Sequence, residues 1–486
     1  MQLYDAAFQQ GIVMKKMKRL LLAALCALVP LQSVGCTEEK NLPYEGVRPM
    51  GDNTIAMDTA LWGELNTHDP SIIKVDDRYY VFSTDASLGD IHQSGVQVRV
   101  SKDLITWEYL GTAFENYAQE CAGAVAYAGL DTEKGQGFWA PDIIRYGDCY
   151  RLYFSASTFG SSRSCIALAE ADQPEGPYRY KGIVISSEAN ALKNPNCIDP
   201  GITVEEDGRM YMVYGSFFGG IFIAELDSET GLLQKTEEPV HLAGGQHASI
   251  EGPVIRYIPE TGYYYLFVSY GSLSSDYNIR VARAESITGP YLDAAGNDMK
   301  NLAPGNEERI GTKLMGGHTF LSSPPALATK GVMAPGHNGL LIDGEDYFIV
   351  HHTRSYSLPD YWFKMQVRRF AMNDYGWPVI LPNCYDGESF EAADLPDGSY
   401  ALVAHGADNN DKSHDSKLVE LSGGDISGAY TGTYTLYDDY RIALTLDGIE
   451  YNGVVAKQFD RERKSDVTAF SAMSETGLTV WGSTQQ

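Results

Sequence analysis

Apolar and polar positions along this chain alternate in short β-rich runs that come in pairs. Five times a run of branched and aromatic residues meets a polar turn containing Asp or Gly and is followed by a second run rich in aromatics: SIIKVDDRYYVFST (71–84), IIRYGDCYRLYFSA (143–156), ITVEEDGRMYMVYG (202–215), VIRYIPETGYYYLFVS (254–269) and LLIDGEDYFIVHH (340–352). Each pair predicts a β-hairpin, because a period of two sends alternate side chains to opposite faces and the Gly or Asp supplies the turn. The turns lie roughly 50–85 residues apart, room for four strands with long loops, so five similar modules predict a five-bladed β-propeller over residues 61–394. From about Leu395 the pattern changes to a turn-rich polar stretch, then GAYTGTYTLYDDYRIALTLDGIEYNGVVAKQFD and TAFSAMSETGLTVWGS. That second alternation predicts a small C-terminal β-barrel or sandwich over 395–486, making the chain all-β.

One apolar run does not fit this plan. LLLAALCALVPL (Leu20 to Leu31) follows the basic MKKMKR and precedes SVGC, the layout of an export signal, and is too short to span a membrane permanently. Gly35-Cys36 resembles a bacterial lipoprotein box, which implies a signal peptide over 1–36 and a lipid anchor on Cys36, with ordinary cleavage nearby as the alternative. Residues 37–60 are expected to be a linker, and the protein an exported, periplasmic or cell-surface lipoprotein, otherwise secreted.

Composition narrows the function. A 44% hydrophobic fraction in 486 residues is enough for a large core. The formal net charge of −27 argues against nucleic acid and acidic polymers and favours a neutral substrate. The cysteines beyond Cys36, at 121, 149, 165, 197 and 384, form no CxxC pair, so a zinc cluster is not expected, and their odd number leaves at least one thiol free.

Each hairpin is preceded by a polar group: His68-Asp69-Pro70, Ala140-Pro141-Asp142, Asp199-Pro200, Glu251-Gly252-Pro253 and His337-Asn338-Gly339. In a propeller the innermost strands line the axis, so Asp69, Asp142, Asp199, Glu251 and His337 are expected to meet in one funnel. The prolines are expected to hold the preceding residues in extended geometry. Carboxylates gathered in one cavity repel one another and raise at least one pKa. With no serine elbow, phosphate loop or HExxH helix, such a group suits glycosidic hydrolysis, in which one acid protonates the leaving oxygen and another carboxylate activates water.

These residues carry a resemblance. HDP (68–70), WAPD (139–142), IDPGITVEEDGRMYMVYGSFFGGI (198–221), SIEGP (249–253) and GHNGL (336–340), in this order, resemble glycoside hydrolase family 43, closest to its endo-arabinanases. The resemblance implies an inverting enzyme with Asp69 as general base, Glu251 as general acid and Asp199 orienting the acid and tuning its pKa. It implies that His337 lies near a water-coordinated cation, usually Ca2+, and that Trp139, Asp142, Phe217 and Phe218 bind substrate. The ending TAFSAMSETGLTVWG resembles the C-terminal barrel of extracellular endo-arabinanases, which points to arabinan. The barrel is expected to brace the propeller, and the protein to be a monomer. An exo-acting β-xylosidase or α-L-arabinofuranosidase, a retaining enzyme of the fructan-processing type and a non-catalytic glycan-binding propeller are the alternatives. Loops 111–136 and 272–335 are expected to decide endo against exo action.

Overall fold

A computed structural model describes residues 59–485, apart from 86, 89–90, 93, 189–193, 235–237, 322–330, 357–362, 392–393 and 438. The expected signal peptide, its Cys36 anchor and residues 37–58 of the expected linker lie outside the described residues.

Each predicted hairpin forms the inner half of a four-stranded antiparallel sheet, and the five sheets are the blades of the expected propeller. The inner and second strands are Ser71–Val75 and Arg78–Ser83 in blade 1, Phe138–Tyr146 and Cys149–Ala156 in blade 2, and Gly201–Val204 and Met210–Tyr214 in blade 3. In blade 4 they are Ile250–Ile258 and Tyr263–Tyr270, and in blade 5 Met333–Asp343 and Asp346–Arg354. The second strands read as nearly continuous apolar runs because both faces of a blade are covered by its neighbours. Met210–Tyr214, for example, is buried at every position.

Hydrophobic contact is organised by seam. Phe82 and Val98 of blade 1 cluster with Leu152 and Phe154 of blade 2. Tyr153 and Leu168 of blade 2 meet Met210 and Met212 of blade 3, and Val213 and Ile223 of blade 3 meet Leu266 and Val268 of blade 4. Phe267 and Val281 of blade 4 pack on Ile349 and Phe370 of blade 5, and Val350 and Val367 of blade 5 on Ile72 and Val81 of blade 1, which closes the ring. Two inner-strand glycines let neighbouring blades approach this closely. A Cβ on Gly201 would fall 2.5 Å from the Pro253 carbonyl oxygen, and one on Gly339 2.7 Å from that of Pro70. Gly201→Ala is therefore expected to cost about 1–3 kcal/mol by overpacking. Calorimetry should show a lower Tm; an unchanged Tm would mean the seam yields freely.

The C-terminal unit is a closed eight-stranded barrel running from Gly398–Ala404 to Thr479–Thr484. Alternation in its first strand serves two cores. Tyr400 and Leu402 fill the barrel, whereas Ala401 and Val403, with Val454, Met473 and Trp481, join the seam of blades 4 and 5. All five cysteines among the described residues are free.

Candidate active site

The expected extended geometry before proline does not occur at Asp69 and Asp199. Five equivalent residues, one per blade, adopt left-handed backbone: Asp69 (φ 48°), Ala140 (39°), Asp199 (59°), Gly252 (60°) and His337 (47°). Hydrogen bonds across the seams account for this. The Ala140 N–H donates to Thr84 Oγ1 at 2.7 Å, Asp199 N–H to Ser155 Oγ at 2.9 Å, His337 N–H to Ser269 Oγ at 2.8 Å and Asp69 N–H to His352 Nδ1 at 3.1 Å. Each acceptor stands at the end of a neighbouring blade's second strand. In the remaining seam the Gly252 N–H donates to Asp199 Oδ2 at 3.1 Å. Asp, His and Gly tolerate this region better than most types, which suits four of these positions; Ala140 is held there by its bond to Thr84. In blades 2, 4 and 5 the left-handed residue lies inside the inner strand at a shift of register. The polar residues there sit in bulges rather than ahead of the strands, and a bulge re-aims side chains.

Four of the five expected residues come together. Asp69 Oδ1 lies 3.1 Å from His337 Nδ1, and Asp69 Oδ2 accepts the Thr84 hydroxyl at 2.5 Å. Burial works to raise the Asp69 pKa, but the His337 charge and hydrogen bond outweigh it and hold the carboxyl well below the usual carboxylate range. His337, also opposed by burial, is lifted to about 9 by Asp69, Asp199 and Glu251. Glu251 accepts the Tyr277 hydroxyl at Oε1, 2.8 Å, and the Ser216 hydroxyl at Oε2, 2.7 Å. Its pKa is raised by burial, with the Asp69 charge adding to it. Asp199 is pushed up to about 7, first by burial and then by the charges of Glu251 and Asp69. Near neutrality one buried carboxylate is ionised beside an imidazolium, and two others compete to keep a proton. The expected source of the Glu251 shift was an ionised Asp199; burial and the Asp69 charge raise Glu251 instead, and burial lifts Asp199 as well.

Asp142 does not join this cluster. Its carboxylate accepts the Ile202 N–H at 2.6 Å, and its pKa, raised to about 6 by burial against the pull of Arg256, reflects a strut between blades 2 and 3. Trp139, Phe217 and Phe218 are half-buried. Phe217 and Phe218 lie between the second and third strands of blade 3, at the end where Phe217 N–H bonds the Ile250 carbonyl beside Glu251. Loop 111–136 is partly helical, and Ala122–Ala128 packs Ala124 and Ala128 into the seam of blades 1 and 2.

Several site residues carried no strand-start pattern. Thr84, Ser216, Tyr277 and His352 hold the carboxylates or their backbones. His352 stacks on His68 with centroids 3.9 Å apart. The one available clue was the doublet His351-His352, which follows the apolar run Tyr347 to Val350 in the second strand of blade 5. Phe159, 90% exposed at the same end of blade 2 as Trp139, is a further rim aromatic. Ligand atoms of His68, Asp69 and His352 lie within 4.8 Å of one another. The His352 Nδ1 lone pair is occupied by the Asp69 N–H, so that group is not read as a metal centre.

Known proteins resemble the chain over both the propeller and the barrel. Residues 63–378 match the family described as glycosyl hydrolases family 43, and residues 382–482 match a C-terminal lipocalin-like domain. The chain is 37% identical to an extracellular endo-α-(1→5)-L-arabinanase of Thermotoga petrophila, over 85% of this chain and 93% of that one. It is 35% identical to an extracellular endo-α-(1→5)-L-arabinanase 2 of Bacillus subtilis, over 89% and 95%. The crystal structure of an endo-1,5-α-L-arabinanase from Thermotoga petrophila superposes with a TM-score of 0.79 at 35% identity, covering 87% of this chain and 99% of that one.

Proposed function

The chain belongs to glycosyl hydrolases family 43, and on that premise we propose that it is an exported, inverting endo-acting glycosidase that cleaves α-1,5-linked L-arabinan. The observation that carries the chemistry is the opposed pair of carboxyls: Asp69 held ionised beside His337, and Glu251 kept protonatable by burial. Asp69 as base draws a proton from water, Glu251 as acid gives one to the departing sugar oxygen, and Asp199, bonded to the Gly252 N–H, holds the acid's strand. Trp139, Phe217 and Phe218, each half-buried, would offer aromatic faces to the furanose rings. The substrate assignment is supported by the endo-arabinanase names of relatives that align over both domains. Their extracellular naming supports export, and Gly35-Cys36 extends this to a lipid anchor, tested by metabolic labelling with a fatty acid before and after Cys36→Ala.

The decisive assay is a product time course on debranched arabinan. Mixed oligosaccharides appearing early support endo action; arabinose alone from the first minutes would place the protein with the exo-acting alternatives.

A Ca2+ ion fits the site in one way. His337 Nδ1 faces Asp69, and a hard cation, which prefers oxygen, would be held beside this histidine mainly through waters. When bound it would supply positive charge among the carboxylates. The same assay after chelator treatment is expected to show reduced turnover restored by Ca2+; undiminished turnover would leave neutralisation to the imidazolium alone.

A further inference from the structure

The loop ending at Tyr277 is where the barrel meets the acid. It links the second and third strands of blade 4 and is tied internally: the Ser272 N–H donates to Asp276 Oδ1 at 2.8 Å and the Tyr277 N–H to the Ser272 carbonyl at 3.0 Å. Tyr277 is 1% exposed, and its ring has one slot. Gly336 lies against it, where a Cβ would fall 2.0 Å from Cδ1, and His352 stacks over it at 5.6 Å and 24°. From that slot the hydroxyl reaches Glu251 Oε1. Burial and the surrounding carboxylates keep this phenol well above its ordinary pKa, so it stays a donor.

The next residue belongs to the interface with the barrel. Asn278, also 1% exposed, donates its two amide hydrogens to the Asp276 carbonyl at 2.9 Å and to Asn409 Oδ1 at 2.7 Å, and its Oδ1 accepts from Arg280 Nε at 2.8 Å. Asn409 lies on the barrel segment between Ala404 and His414, which is pinned to blade 4. Arg280 Nη2 donates to the Ala407 and Asp408 carbonyls at 2.8 and 3.0 Å, and Lys313 Nζ to the Asp408 carbonyl at 3.0 Å. Both cations are buried. The barrel segment therefore has a fixed place, and its one side-chain contact with Asn278 falls beside the tyrosine that holds the acid.

We infer that the C-terminal barrel completes the catalytic apparatus by positioning the acid: Asn409 fixes Asn278, Asn278 fixes the adjacent Tyr277, and Tyr277 holds Glu251 Oε1. The inference rests on Glu251 being the general acid. Tyr277 and Asn409 are positioning residues, acting through Glu251 rather than on the substrate. Misplacement of an acid by a fraction of an ångström is costly because proton transfer needs hydrogen-bond geometry in the transition state.

The test measures kcat and KM for Y277F, N409A and the double variant on linear arabinan and on an aryl arabinobioside with a strongly acidic phenol as leaving group. On arabinan, Y277F is expected to lower kcat about 10- to 100-fold and N409A about 3- to 10-fold, with KM little changed. The double variant should be no worse than Y277F, because the two act in series. Both losses should shrink on the aryl substrate, whose departure needs little protonation. Asn409→Asp, which keeps the acceptor oxygen, should restore turnover; if N409A does not fold, N409S is measured instead. Wild-type kcat in N409A, losses that multiply in the double variant, or equal losses on both substrates would overturn the inference. An E251Q enzyme that still turns over arabinan removes the acid assignment itself, whereas an inactive E251Q with an unaffected N409A removes only the role of the barrel.

Discussion

Asp69→Asn is expected to lower turnover on linear arabinan by about 10²- to 10⁴-fold, the usual worth of a positioned general base. The amide keeps nearly the same shape and can still accept the Thr84 hydroxyl, so the backbone at φ 48° and its bond to His352 should persist. What it loses is the charge. Asp69 is held well below the ordinary carboxylate range mainly by His337, so in the native protein it stays ionised far into the acid region. Without that charge, His337 loses its nearest anion and its pKa should fall from about 9, which NMR of the imidazole can follow. Wild-type turnover in the variant would remove Asp69 from the mechanism. A fold lost on circular dichroism would mean that the ion pair is structural.

The second large effect is expected at Glu251→Gln, again about 10²- to 10⁴-fold on arabinan. Here the sign of the pH dependence provides a further check. An acid must be protonated to work; burial raises Glu251 above the ordinary carboxylate range and pushes its neighbour Asp199 up to about 7, so the acid's proton is lost on the alkaline side of the usual carboxylate range. Wild-type kcat/KM should therefore fall on the alkaline side near neutrality and persist on the acid side until Asp69 itself is protonated. In Glu251→Gln a carboxylate neighbour is gone, so Asp199 should titrate lower than about 7. An alkaline limb unchanged from wild type would assign that titration to another group.

Much of this was legible beforehand, for identifiable reasons. Hairpins are local: SIIKVDDRYYVFST pairs with itself through a two-residue turn, and its alternation and turn residues lie in one short window. Asp69, Asp199, Glu251 and His337 were recognisable because the same module recurs and places equivalent positions at one end of each blade. Asp142 shares that spacing yet went elsewhere, its carboxylate drawn to the Ile202 N–H of the next blade, a partner 60 residues away. Tyr277 and His352 were hard to read because neither stands at the start of a hairpin's inner strand, and only the histidine doublet hinted at the second. Each matters through a partner remote in sequence, Tyr277 through Glu251 26 residues back and His352 through the Asp69 N–H 283 residues back. The barrel showed the same limit: alternation in GSYALVA announced a strand with two different faces, and both faces are buried because the second packs on blades 4 and 5.

By itself the sequence determined the all-β architecture, the number of blades and the five positions from which the groups at the axis are drawn, since these follow from short-range periodicity and its repetition. Only the tertiary structure decided which carboxyl is ionised, which keeps its proton and what aims each one. Those properties arise from burial and from hydrogen bonds across seams, and both depend on which distant segments come to share a volume with little water.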